Sequence, residues 1–142
     1  MNNSLTDLTV KGFLDTTAGK DPVPGGGSIS ALSGSIAAAL TEMVAGLTIG
    51  KKKYAEVEEQ MKQLAERVQQ IRQQLILDVD RDSEAYNVVF AAFQMPKETD
   101  EEKAARSAQI QEATKIAANV PMEVARRVYS LLSDIEEVVS NG

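Results

Sequence analysis

The sequence predicts an all-α protein, an up-and-down helical bundle with one long amphipathic helix and a buried small-residue helix. Three observations carry this expectation. No stretch alternates apolar and polar residues with a period of two. The apolar positions from Val57 to Leu75 recur at alternating steps of four and three, the seam of a helix packed lengthwise on others. Aromatics make up only 4% of the 142 residues while Ala, Gln and Glu abound, which suits helices joined through aliphatic side chains. At this length residues 1–142 read as a single domain able to bury a core.

The first element is short. Ser4-Leu5-Thr6-Asp7 has the form of a capping box and starts a helix with Leu5, Leu8, Phe13 and Leu14 as its apolar face and Gly19 as its stop. Lys20 to Gly27 is the one glycine-rich connection. Pro22 and Pro24 hold off an early helix start, and Gly25, Gly26 and Gly27 free the backbone near a helix N-terminus, where unpaired N–H groups can face an anion.

The next helix, Ser28 to Gly50, carries two opposed faces. Ile29, Leu32, Ile36, Leu40, Met43 and Leu47 can fill a core; Gly27, Ala31, Gly34, Ala38, Thr41, Ala45 and Thr48 let a neighbouring backbone approach closely. Unwelcoming to water on both sides, this helix is expected inside a bundle. Between the faces runs a polar seam of Ser28, Ser35 and Glu42. Its 23 residues with one charge also suit a membrane span. Glu42 near mid-run and six Ser or Thr residues argue against that, so no membrane partner is expected.

A long amphipathic helix follows, from about Tyr54 to Gln94, on the seam Val57, Met61, Leu64, Val68, Ile71 and Leu75. Continuing the same steps gives Asp78, Asp82, Ala85, Val89 and Ala92, so two carboxylates enter an apolar stripe. Met95-Pro96 ends the helix, and Thr99-Asp100-Glu101-Glu102 opens the next with a capping box. That helix runs to about Ala118; Pro121 then kinks it or opens another. Val124, Val128, Leu131, Ile135 and Val138 continue a seam to Ser140-Asn141-Gly142, a stop.

Composition narrows the chemistry. A formal charge of -6 and a pI near 4.7 leave no electrostatic footprint for nucleic acid. With no Cys and no His, disulfides, thiol nucleophiles and the usual zinc ligand sets are excluded, and acid-base work falls to Asp, Glu, Lys or Tyr. No metal site is expected. Met1-Asn2-Asn3-Ser4 lacks the basic and apolar regions of a signal peptide, which points to the cytoplasm.

Asp78, Asp80 and Asp82 are the sharpest signal. Asp82 falls mid-stripe among Leu75, Val79, Tyr86 and Phe93, where burial would make it a useful acid or base unless a cation held it ionised. Asp78 falls nearer the stripe's edge and Asp80 on roughly the opposite side. The plainer alternative is a long helix that outruns its partners, leaving its far half solvated. Carboxylates four apart also suit a divalent cation, but one helix rarely completes such a site. Lys51, Lys52, Lys53 and Tyr54 either meet carboxylates or a phosphate, or form the solvated, dipole-matched end of an apolar helix. The glycine triplet lacks P-loop spacing. Glu42 is either a buried acid or a flank residue bonded to a hydroxyl.

Pro24-Gly25-Gly26-Gly27-Ser28 and Leu47-Thr48-Ile49-Gly50-Lys51-Lys52-Lys53-Tyr54 resemble the opening signature of the cyclodeaminase/cyclohydrolase family. That family includes the C-terminal domain of formiminotransferase-cyclodeaminase and stand-alone methenyltetrahydrofolate cyclohydrolases. Asp80-Arg81-Asp82-Ser83-Glu84-Ala85-Tyr86, with Ala91-Ala92-Phe93 and Met95-Pro96-Lys97, is similar to its second block, and Val120-Pro121-Met122-Glu123-Val124-Ala125 to its third. The resemblance implies a homodimeric helical bundle with a folate cleft near the glycine turn and a tetrahydrofolate derivative as substrate, with no tightly bound cofactor. The reaction it implies is at the one-carbon bridge: loss of ammonia from the formimino form to close the methenyl ring, or opening of that ring by water. The positions carried over are Asp82 and Asp80 as catalytic, and Gly25, Gly26, Gly27, Ser28, Lys51 and Tyr54 as substrate-binding. Members of the family usually run beyond the equivalent of Gly142, so the chain is expected to be a fragment or a short relative that has lost a wall of the bundle. The alternative is a non-catalytic helical module that binds folate or a protein partner.

Overall fold

The computed structural model describes residues 4–142; Met1 to Asn3, on which the expectation of no signal peptide partly rests, lie outside the described residues. Four helices follow in order: α1 (Val10–Thr17), α2 (Gly26–Thr48), α3 (Glu58–Phe93) and α4 (Asp100–Asn141), with 3-10 turns at Leu5–Asp7 and Lys52–Val57. No strand occurs among the described residues. The three long helices pack on one another in every pairing, and the short connections reverse direction each time, as an up-and-down bundle requires.

The N-terminal helix begins later than expected. Ser4 does accept a backbone N–H, from Thr6 at 3.3 Å, but the turn it caps stops at Asp7. Thr9, accepting from Gly12 N at 3.0 Å, caps α1 instead. Of the expected apolar face Phe13 is buried and Leu14 is exposed.

The two faces of α2 are reversed in use. Its small face is the core face: Ala31, Gly34, Ala38, Thr41, Ala45 and Thr48 are all buried. The bulky face, expected to fill a core, leaves Ile36, Leu40, Met43 and Leu47 between 52% and 64% exposed. Small residues let α3 and α4 come close enough to exclude water without large knobs, as at Gly34, where an added Cβ would lie 2.7 Å from Val128 Cγ2. The two other long helices then cover only one side of α2. By length and a mean hydropathy of 1.4 α2 could cross a bilayer, but Glu42 in its middle is paired with Arg72 of α3, Oε2 accepting from Nε at 2.5 Å.

The α3 seam falls as the spacing predicts: Met61, Leu64, Val68 and Leu75 are fully buried, against Ala38, Ala45, Leu131 and Val138 at one end and Phe13, Ala31 and Val124 at the other. Beyond Ala85 the long helix outruns α2 but not α4: Ala92 stays buried and Arg106 of α4 donates to Phe93 O at 3.2 Å, while Tyr86, Phe90 and Phe93 are exposed. The capping box at Thr99 and Glu102 is fully made, both bonds at 3.1 Å. Pro121 neither ends α4 nor opens a new helix. The helix continues through it to Asn141 because Val120 and Val124 on either side are buried and hold the turn in place.

Candidate active site

The glycine turn and the acidic block meet. Gly25 is the N-cap of α2, which leaves the Ser28 N–H free at the helix start, and the Asp82 carboxylate of α3 takes it at 3.0 Å. The anion at this N-terminus is therefore the chain's own side chain, held by backbone N–H and by the helix dipole. Gly27 is glycine for a steric reason: a Cβ there would fall within the Asp82 carboxylate, whereas at Gly26 it would meet nothing within 4 Å. Gly27→Ala is expected to lower the Tm by about 5 °C or more, and Gly26→Ala to leave it nearly unchanged. Thermal melts of the pair decide this, and equal values would show that Asp82 is not locked against the turn.

Asp78, Asp80 and Asp82 are not one cluster, because each faces a different element. Asp80 fastens the N-terminal segment, accepting from Ser4 Oγ at 2.5 Å, Leu5 N at 2.6 Å and Thr6 Oγ1 at 3.2 Å. Asp78, placed by its spacing at the edge of the stripe, is the deepest of the three with no exposed surface. Its two oxygens accept from Arg81 and from Arg127 of α4, and Gln74 adds a third bond at 3.3 Å. Asp82, expected mid-stripe, is only half-buried. The reason is a cation: two guanidinium groups let a carboxylate lie inside at position 78, and none reaches position 82. Glu123 closes the cluster, accepting from Arg81 at 3.1 Å, and that bond holds its carboxyl below the usual carboxylate range.

A cleft of about 390 Å³ opens beside the turn, lined by Val23 and Pro24, by Ser4 and Leu5, and by Asp80, Ser83, Glu84 and Asn87 of α3. Sequence reasoning did not single out Ser83, Glu84 or Asn87. Their spacing from Asp80, at three, four and seven residues, is the signal that would have found them, since those steps share one helix face. Ser83 also joins the cleft to the turn. It is buried, and its Oγ lies 3.0 Å from that of Ser28, which donates to Val79 O at 2.7 Å and lies 3.4 Å from Asp82 Oδ2.

Lys51 and Tyr54 are elsewhere. They follow the other end of α2, about 35 Å along the helix from the turn at 1.5 Å per residue. Lys51, Lys52 and Lys53 are exposed, and Lys53 Nζ lies 4.9 Å from the centroid of the Tyr54 ring. The chain brings together Gly25, Gly26, Gly27, Ser28, Asp80 and Asp82, and within one protomer it does not bring Lys51 and Tyr54 to them. Among the described residues no group of three or more carboxylates is placed to hold a metal ion.

Comparison with known proteins gives the arrangement a context. The chain is 47% identical over 132 residues to a methenyltetrahydrofolate cyclohydrolase of Methylorubrum extorquens, covering 93% of this chain and 63% of that protein. It is 31% identical over 139 residues to the formimidoyltransferase-cyclodeaminase of Mus musculus, covering 98% of this chain and 26% of that one. The fold superposes on the crystal structure of formiminotetrahydrofolate cyclodeaminase from Thermotoga maritima with a TM-score of 0.82 and 35% identity, over 96% of this chain and 64% of that one. The chain thus spans less than two thirds of the length of each of these relatives. A sequence model of the formiminotransferase-cyclodeaminase family matches residues 9–142. On the match to that model and the identity to its members, the chain belongs to the formiminotransferase-cyclodeaminase family.

Proposed function

We propose that the protein is a folate-dependent one-carbon enzyme, a methenyltetrahydrofolate cyclohydrolase or a formimidoyltetrahydrofolate cyclodeaminase, working at the cleft between the glycine turn and the acidic block. The observation that carries this reading is the docking of Asp82 on the start of α2 beside a cleft of substrate size, with Asp80 and Glu84 on its wall. In the hydrolytic direction water adds to the cationic carbon bridging two ring nitrogens, its proton goes to a carboxylate, and one C–N bond then opens. Acidic walls favour binding of the cation; as water adds, the substrate's positive charge and the base's negative charge are neutralised together, so the rate depends on the base that takes the proton. Asp82 serves as that base. Asp80, with three bonds already made, holds the cleft's N-terminal wall.

The same reading takes the protein as a cytoplasmic homodimer with no tightly bound cofactor, nucleic acid or membrane partner. The exposed stripe of Ile36, Leu40, Met43 and Leu47 supports the dimer, because it is a row of apolar side chains at helix spacing with nothing on it. Two copies of α2 paired antiparallel about a two-fold axis near Leu40 would set Ser28 opposite Lys51 of the partner subunit. That pairing would give Lys51 and Tyr54 of the partner subunit a place at the cleft, where a lysine suits the anionic glutamate tail of a folate.

The test is the decay of methenyltetrahydrofolate absorbance with purified protein, run beside ammonia release from the formimino form. Turnover of either, with sedimentation at twice the 15.3 kDa of one chain, is the expected result. Binding without turnover would make it a folate-binding module, and neither binding nor turnover a scaffold.

A further inference from the structure

We propose that Ser83 is a positioning residue that carries protons between the cleft and Asp82 by way of Ser28, a role that rests on the carboxylate-assisted chemistry proposed above. Asp82 is not on the cleft wall, and its Oδ2 is turned to the Ser28 N–H. A base placed there needs a connection to the water it would activate. Two hydroxyls supply one.

The direction of the hydroxyls is fixed by what surrounds them. Ser28 has one hydroxyl proton, and at 2.7 Å from Val79 O, a carbonyl that can only accept, that proton is donated there. At the 3.0 Å contact between the two hydroxyls Ser83 must then be the donor. Its proton points inward and its lone pairs are left to receive a proton from a water in the cleft, whose wall Ser83 forms. Ser28 has Asp82 Oδ2 3.4 Å away as a second acceptor, so rotation of the hydroxyl about its Cβ–Oγ bond turns its proton from Val79 to Asp82.

The transfer balances. As the water oxygen bonds to the substrate carbon, one water proton passes to Ser83 Oγ, the Ser83 proton to Ser28 Oγ, and the Ser28 proton to Asp82 Oδ2. Both serines end as neutral hydroxyls and Asp82 ends protonated. The reverse sequence returns a proton to the cleft, where a leaving amine takes it. Burial suits the relay, since Ser28 has no exposed surface and Ser83 is 7% exposed, so bulk water does not compete for the inner contacts.

The experiment uses the full chain under steady-state conditions with methenyltetrahydrofolate. Ser83→Ala is expected to lower kcat by about tenfold or more. Its KM should stay within about twofold of wild type and the acid limb of its pH profile should move, while Ser83→Thr recovers most of the rate. Wild-type rates in mixtures of light and heavy water should curve, because more than one proton moves together. A wild-type rate in Ser83→Ala, or a straight-line dependence on deuterium content, overturns the relay and leaves the proposed activity standing. Absence of wild-type turnover overturns the activity and the relay with it.

Discussion

Asp82→Asn is expected to lower kcat for methenyltetrahydrofolate by at least about 100-fold, or about 2.7 kcal/mol in transition-state stabilisation, while melting close to wild type. Asparagine matches the carboxylate in shape and keeps one oxygen able to accept the Ser28 N–H, now held at 3.0 Å, so the start of α2 stays fastened to α3. Two things are lost: a proton acceptor at the end of the Ser28 and Ser83 hydroxyls, and a negative charge near a cationic substrate. The measurement is absorbance decay beside a thermal melt. A near-wild-type rate would remove Asp82 from the mechanism. Asp80→Asn is the informative contrast, because the Asp80 oxygens are engaged by Ser4, Leu5 and Thr6. Its effect should fall on the docking of the N-terminal segment, and so on KM more than on kcat.

The contrast between Asp82 and Asp78 shows where sequence reading works and where it stops. Helical periodicity is a local property, and it placed the seam of α3 from Met61 to Leu75 correctly because each of those residues needs only an apolar neighbour. The same spacing ranked Asp82 deeper than Asp78, and the structure reverses them. Which aspartate goes inside depends on Arg127, 49 residues away on α4, and no periodicity reports that distance. The physical signal was still present, since a carboxylate in an apolar stripe demands a cation, and Arg81 at three residues' remove was the visible half of the answer. The α2 helix fails for a related reason. Its two faces were legible, but which one is buried is decided by how many helices are available to cover it. Bulk was the wrong guide because close packing through Ala31, Gly34 and Ala38 needs smallness. The union of the glycine turn with the acidic block was legible only through family resemblance, whereas the placing of Lys51 and Tyr54 at the far end of α2 follows from helix rise alone.

Asp78→Ala should be the most destabilising change in this set, costing about 3 kcal/mol and lowering the Tm by about 10 °C. The carboxylate has no exposed surface, while Arg81 and Arg127 are 39% and 26% exposed, so removing it strands two guanidinium groups that water reaches only in part. Their remaining partner is Glu123, which cannot replace both bonds from one side. Breaking a buried pair costs more than replacing it, so Asp78→Leu combined with Arg127→Leu should recover much of the loss. If the double variant is no more stable than Asp78→Ala, the cost comes from packing between α3 and α4 and the ionic account fails. Glu123 adds a pH signature with a definite sign. Because Arg81 holds its carboxyl below the ordinary value of 4.5, the stability it contributes is complete above that value and is lost as pH falls through the lowered one. Wild-type melts should therefore fall more steeply below about pH 4.5 than those of Glu123→Gln, and equal slopes would show that the α3–α4 clamp does not run through Glu123.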